Sequence, residues 1–224
     1  MVVAVLLAGG SGSRMGSDRP KQFLKVKGKT ILEWTIEAFH RNPLVDEIAI
    51  VSRADSMEEV AALARPYPKV RRILQGGKER YDSSLAAIHA YEDDECRILL
   101  HDAVRPLVSQ RIITDCIHAL DRFQAVDVAV PSTDTIVEVD ENGVICRIPQ
   151  RASLRNVQTP QGFLRGTIRR AYEVALSDPN FQTTDDCGVV FRYLPEIPIG
   201  VVEGDMRNIK ITYPQDLLLM EEKQ

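Results

Sequence analysis

Hydrophobic positions along this chain alternate between two periods. Val2–Leu7 is an unbroken β-branched and aliphatic run and reads as a buried strand. Thr30–Arg41 then sets Ile31, Leu32, Ile36 and Phe39 at helical spacing. The same exchange repeats: Glu47–Ser52 as strand, Met57–Ala64 as helix stopped by Pro66, Val70–Leu74 as strand. Arg80–Tyr91 follows as a helix with Leu85, Ile88 and Tyr91 on one side. Arg97–His101 is a strand, Ser109–Phe123 a helix and Val126–Val130 a strand. Such alternation predicts an α/β fold, a Rossmann-like and mostly parallel sheet with helices on both faces. Sheets of that kind bind ligands beyond the C-terminal ends of their strands, where the strand order reverses.

The alternation breaks at Thr133–Ile148. Ile136–Asp140 and Val144–Ile148 flank Glu141-Asn142-Gly143, and Asn-Gly between strands is a strong hairpin signal. A lone two-stranded ribbon is marginal in water, so Ile136, Val139, Val144 and Ile148 need a cover. Either the ribbon folds back on its own domain or it reaches a second copy, and the second is favoured. Residues 132–152 are thus expected to form a protruding β-hairpin arm on a single domain spanning 1–224. Helices over Leu164–Leu176, Thr184–Phe191 and Pro214–Glu222, with strands at Ile199–Val202 and Ile209–Thr212, complete the prediction.

Composition narrows the class. Of 224 residues, 44% are hydrophobic and 27% charged, the balance of a soluble globular protein. A net charge of −4 argues against a nucleic-acid partner. No apolar run approaches membrane-spanning length and no signal peptide is visible, so a cytoplasmic location is expected. Cys96, Cys116, Cys146 and Cys187 are widely spaced among apolar neighbours, which predicts reduced core thiols rather than disulfides or zinc ligands.

The chemistry begins where the first strand ends. Ala8-Gly9-Gly10-Ser11-Gly12-Ser13-Arg14-Met15-Gly16 bares main chain that a ligand can approach closely. Arg14 and Lys21 add two cations, and together these features make a polyphosphate site for a nucleotide. The loop lacks the Gly-Lys-Ser/Thr ending of a P-loop, and its glycine spacing misses the dinucleotide fingerprint.

The strand before His101-Asp102-Ala103-Val104-Arg105-Pro106 delivers Asp102 at its C-terminal end, where a carboxylate can hold Mg²⁺ beside phosphate oxygens. Arg105 is placed to clamp a second anion, the alternative being that Asp102 caps a turn and Arg105 pairs with it. His101 reads as a packed or hydrogen-bonded histidine rather than a base. Gly76–Ser84 is a glycine turn entering a helix, and Thr184 is a plausible cap ahead of Asp185-Asp186. Lys210 lies between Ile209 and Ile211 and faces away from both, as an edge gatekeeper or as a third cation for phosphates. Cations, bare amides and one carboxylate suffice for nucleotidyl transfer, in which the protein aligns the phosphates and spreads developing charge.

With these residues in view, the chain resembles the cytidylyltransferases that activate polyol phosphates with CTP, the methylerythritol phosphate and ribitol phosphate enzymes. The likeness runs nearly end to end, through the glycine loop, Pro20-Lys21-Gln22, Gly76-Gly77-x-x-Arg80, His101–Pro106, Asp134-Thr135, Gln158-Thr159-Pro160-Gln161-x-Phe163, Thr184-Asp185-Asp186 and Asn208–Thr212. By that resemblance Arg14, Lys21 and Lys210 hold the CTP phosphates. Asp102 binds Mg²⁺, Ala8, Gly9, Gly77 and Ser83 line the cytidine pocket, and Gly10 lies at the phosphates. Thr135, Arg151, Arg105 and Thr159 hold the polyol phosphate. The arm is exchanged across a homodimer, so that Thr135 and Arg151 serve the partner's site. Two positions depart from the family pattern. Arg207 stands where some members carry a second metal-binding Asp, and Lys78 stands where an acid often sits beside the base. The acceptor expected is 2-C-methyl-D-erythritol 4-phosphate, with D-ribitol 5-phosphate as the alternative.

Overall fold

The computed structural model describes residues 1–10 and 19–221. Arg14 and the rest of 11–18 lie outside the described residues. The strands are β1 (Val2–Leu7), β2 (Lys25–Val26), β3 (Lys29–Thr30), β4 (Glu47–Ser52), β5 (Val70–Gln75), β6 (Arg97–Asp102), β7 (Ala125–Pro131), β8 (Glu138–Val139), β9 (Ile145–Arg147), β10 (Arg155–Val157), β11 (Gln161–Leu164) and β12 (Ile199–Glu203). The helices are α1 (Ile31–His40), α2 (Met57–Ala64), α3 (Arg80–His89), α4 (Gln110–Ala119), α5 (Arg165–Ala175), α6 (Asp186–Tyr193) and α7 (Leu218–Glu221).

One eight-stranded sheet runs β10-β7-β11-β6-β1-β4-β5, with β12 on the other side of β7. β5, β4, β1 and β6 are parallel neighbours, β12 pairs parallel to β7, and β10 and β11 run antiparallel to theirs. The expected mostly parallel sheet is therefore mixed at one end. The chain moves from β1 outward to β4 and β5, then returns to place β6 on the opposite side of β1, so the order reverses between β1 and β6.

Side-chain alternation along β1 divides two cores. Val2, Ala4 and Leu6 join Leu32, Ile36, Phe39, Val60 and Ile112 on the face covered by α1, α2 and α4. Val3 and Val5 join Ile88, Ile168, Tyr172 and Val190 on the face covered by α3, α5 and α6. Helices on both faces stand as the pattern predicts. α1 begins at a capping box: Thr30 Oγ1 accepts from the Glu33 amide, and the Glu33 carboxylate accepts from the Thr30 amide.

Several expectations are corrected. Ile209–Thr212 forms no strand. Its alternating isoleucines pack into a third cluster with Val26, Ile31 and Val104, and the Ile211 amide donates to the Val104 carbonyl at 2.9 Å instead of joining a ladder. β10 and β11 were not expected, because Gln158-Thr159-Pro160-Gln161 lacks the apolar run that marks a strand. α6 starts at Asp186, with Asp185 rather than Thr184 as its cap, accepting from the Gly188 amide at 2.9 Å. The C-terminal stretch is a 3-10 turn, Pro214–Leu217, followed by the short α7. Cys96, Cys116 and Cys187 are buried free thiols, but Cys146 lies exposed on the ribbon. Among the described residues that ribbon, β8 with β9, forms a separate two-stranded sheet. Ile136, Val139, Val144, Ile145 and Ile148 along it are exposed.

Candidate active site

β1 and β6 end side by side, with Leu7 aligned with Asp102 and Val51 of β4 aligned with Leu7 on the other flank. A cavity of about 680 Å³ opens beyond these ends. Its described walls include Ala8, Gly9, Gly10, Lys21, Gln22, Gly77, Arg80, Ser83, Asp102 and Lys210. The structure thus brings the glycine loop, the Gly76–Ser84 turn, Asp102 and Lys210 into one space, although they are spread over two hundred residues.

Asp102 is the electrostatic centre. Its Oδ2 lies 3.1 Å from Lys210 Nζ and 3.3 Å from Arg105 Nε. Burial works to raise its pKa, but Lys210, Arg105 and Arg80 outweigh that and hold the carboxyl down to about 2. It is ionised throughout the physiological range. Behind it, the Asp102 amide donates to Thr159 Oγ1 at 3.1 Å. Thr159 Oγ1 lies 3.0 Å from His101 Nδ1, and His101 Nε2 lies 3.1 Å from the Arg105 carbonyl. A carbonyl only accepts, so Nε2 carries the hydrogen, Nδ1 accepts, and the Thr159 hydroxyl donates to it. Full burial pushes the His101 pKa down to about 4, so the ring is neutral and serves as a fixed relay beneath Asp102.

The cations arrive on different elements. Lys21 sits on a 3-10 turn, Lys21–Phe23, and its buried Nζ donates to the Ile211 carbonyl at 2.8 Å. That contact holds the turn against the segment carrying Lys210. Arg80 opens α3 and pairs with buried Asp186 at 2.6 Å. Gly77 is required by close approach, since a Cβ there would lie 2.5 Å from the Asp82 Cβ. Asp82 in turn accepts from the Glu79 amide at 2.8 Å and fixes the helix start.

Other predicted residues lie elsewhere. Arg105 and buried Thr159 are not cavity walls; Arg105 Nη1 donates to the Asn208 carbonyl at 2.8 Å and both brace Asp102. Thr135 and Arg151 are exposed at the base of the ribbon, where Arg151 Nη1 donates to the Thr133 carbonyl. Asp205, the acid nearest to Arg207, pairs with that arginine and lines a separate cavity of about 330 Å³, so it supplies no second carboxylate beside Asp102. Among the described residues no group of three or more potential metal ligands occurs. Sequence reasoning assigned no role to Gln22, Arg53, Lys78, Glu79 or Arg80, all of which line the cavity. The motifs Pro20-Lys21-Gln22 and Gly76-Gly77-x-x-Arg80 pointed at two of them. Among the described residues no helix is long and apolar enough to cross a membrane.

Comparison with known proteins bears on this geometry. The family model for 2-C-methyl-D-erythritol 4-phosphate cytidylyltransferase matches residues 2–222. The protein of that name from Thermobifida fusca is 52% identical, over 98% of this chain and 92% of the relative. A bifunctional ribulose 5-phosphate reductase/CDP-ribitol pyrophosphorylase from Haemophilus influenzae is 44% identical over 98% of this chain, which spans 47% of that relative. Among solved structures, 4-diphosphocytidyl-2C-methyl-D-erythritol synthase from Anaerococcus prevotii superposes with a TM-score of 0.88 at 30% identity, covering 98% of this chain and 96% of that one.

Proposed function

Since this chain belongs to the 2-C-methyl-D-erythritol 4-phosphate cytidylyltransferase family, we propose that it transfers the cytidylyl group of CTP to 2-C-methyl-D-erythritol 4-phosphate and releases pyrophosphate. The observation that carries the reading is that glycine-loop main chain, Lys21, Lys210 and Arg80 line one cavity together with Asp102. An oxygen of the acceptor phosphate attacks the α-phosphorus of CTP, and the bond from that phosphorus to the bridging oxygen breaks. The leaving pyrophosphate carries the electron pair. Lys21 and Lys210 face the charge that develops and Arg80 adds to the field, and Arg14, by the family resemblance, would share the work of Lys21. An acceptor phosphate is already a nucleophile, so no general base is needed, which agrees with a neutral and buried His101.

The donor set suits Mg²⁺. One ionised carboxylate at the cavity wall matches a cation that keeps several waters and shares itself with substrate phosphates. Asp102 would hold it, and when bound the metal neutralises phosphate charge. Main chain at Ala8, Gly9 and Gly77, with Ser83, would seat the cytidine, and Gly10 would lie at the phosphates. The exposed apolar side of the ribbon supports a homodimer in which a second copy covers it. Thr135 and Arg151 would then reach the partner's acceptor, with Arg105 and Thr159 on the near side.

The ribitol alternative is favoured by one observation, the 44% identity to the CDP-ribitol pyrophosphorylase relative. Incubation with CTP, Mg²⁺ and each acceptor in turn, with pyrophosphate measured, tests both. Release with 2-C-methyl-D-erythritol 4-phosphate and not with D-ribitol 5-phosphate is expected. Release with ribitol phosphate alone would transfer the assignment, and release with neither would reject it.

A further inference from the structure

The glycine loop has a polarity problem. Each bare peptide unit offers an N–H that attracts a polyphosphate and a C=O that repels it. Amide planarity points the two groups of one unit in opposite directions. A loop free to rotate would present either.

Gln22 resolves this for the described part of the loop. The residue is 1% exposed, and it lines the same cavity as Ala8, Gly9 and Gly10. Its Nε2 donates to the Ala8 carbonyl at 2.8 Å and to the Gly10 carbonyl at 3.2 Å. The Ala8 amide meanwhile donates to the Val51 carbonyl at 2.7 Å, so Ala8 is held from both ends. The Ala8–Gly9 peptide is trans, and pinning its carbonyl toward Gln22 turns the Gly9 N–H the other way. Two acceptors side by side call for one group with two hydrogens, which a carboxamide has and a carboxylate lacks. The reversed amide would set Oε1 against two carbonyl oxygens. Instead Oε1 is left buried without a partner among the described residues, which fits a side chain fixed by what its nitrogen must do.

The anchor beneath it is firm. On the same short turn, Lys21 reaches the Ile211 carbonyl and Phe23 is buried in the first core. The Phe23 amide closes the turn on the Pro20 carbonyl at 3.0 Å.

We infer that Gln22 is a positioning residue for the nucleotide: it turns the carbonyl oxygens of Ala8 and Gly10 away from the triphosphate, so that the loop meets the polyanion with donors. The inference rests on the reading of this cavity as the CTP site. Its test uses the full-length protein and two substitutions, Gln22→Met, of similar length without donors, and Gln22→Glu, isosteric with acceptors alone. CTP binding is measured directly by calorimetry, alongside KM for CTP, KM for the acceptor and the melting temperature.

Gln22→Met is expected to weaken CTP binding at least tenfold and to leave the acceptor KM within twofold. Gln22→Glu is expected to be worse at high pH. Its defect relative to the unmodified protein should shrink as pH falls and the carboxyl regains one hydrogen. A folded Gln22→Met that binds CTP within twofold of the unmodified protein overturns the inference. So does a loss shared equally by both substrates. Should Gln22→Met melt, the pH course of Gln22→Glu decides, and a pH-independent defect counts against. Failure of the unmodified protein itself to bind CTP would reject the cavity assignment, and the inference with it.

Discussion

Arg80 and Asp186 stand 106 positions apart and meet at 2.6 Å. Asp186 is fully buried and Arg80 emerges into the cavity beside Asp102. The other Asp186 oxygen accepts from the Tyr172 hydroxyl at 2.6 Å, and its amide donates to Gln161 Oε1 at 3.0 Å. A cavity cation is thereby strutted from the packed layer of α5 and α6. Asp186→Ala leaves that arginine without its partner. It should cost about 3–5 kcal/mol of stability, as for other broken buried pairs, and lower kcat/KM for CTP at temperatures where the protein is still folded. Thermal denaturation and steady-state kinetics read the two effects separately.

Lys210 gives the opposite profile. Its side chain is 40% exposed, and its ion pair with Asp102 contributes little to folding. Lys210→Ala is expected to keep the melting temperature within a few degrees while kcat falls by about 10²–10³, the loss typical of one removed charge-stabilising donor. A variant retaining full kcat would remove Lys210 from the chemistry.

Asp127 makes stability depend on pH. Burial first, and the charge of Asp185 second, push its pKa up to about 7 despite a hydrogen bond from Gln161. The folded state therefore keeps a proton that the unfolded chain, with an ordinary carboxyl near 4, has already lost. Between about pH 4 and 7 the native state binds more protons, so this group's contribution to stability declines as pH rises. Asp127→Asn keeps the acceptor for Gln161 and removes the charge. It should stabilise the protein by about 1–2 kcal/mol at pH 8, with the gain vanishing towards pH 4. Denaturation curves across that range would show it, and a gain independent of pH would contradict the assignment.

The ribbon makes an association prediction. Val144 and Ile148 are exposed apolar residues on β8–β9 and its flank. For the proposed homodimer, Ile148→Asp is expected to shift sedimentation from dimer to monomer while leaving the circular dichroism of the main sheet unchanged. A dimer that survives the substitution would place the interface elsewhere.

Periodicity located β1, β4, β5, β6, β7 and their helices because each buries apolar residues in register with its own period. It failed where burial is achieved by polar chains. Gln161 is buried in β11 because its amide serves Asp127, Asp185 and the first turn of α6, a set of partners that no local pattern reveals. It misled at Ile209–Thr212, where alternation reflects a contact with Val104 rather than a pleat. The glycine loop, Asp102 and Lys210 were legible as chemistry, since cations and bare main chain have few other uses together. The pairing of Arg105 with Asp102 was legible as an alternative to an anion clamp, but the support from Thr159 was not, because it depends on which residues fold behind a strand end.

β1 is the party wall of the molecule. Its odd and even residues belong to different interiors, and its last residue is aligned with Val51 on one flank and Asp102 on the other. A slip by a single residue would exchange the contents of both rooms and carry the glycine loop about 3.3 Å from its carboxylate. A shift in the register of β1 would thus disturb both cores and the cavity together. By the same geometry, the register of one strand aims loops whose residues lie far apart in the chain.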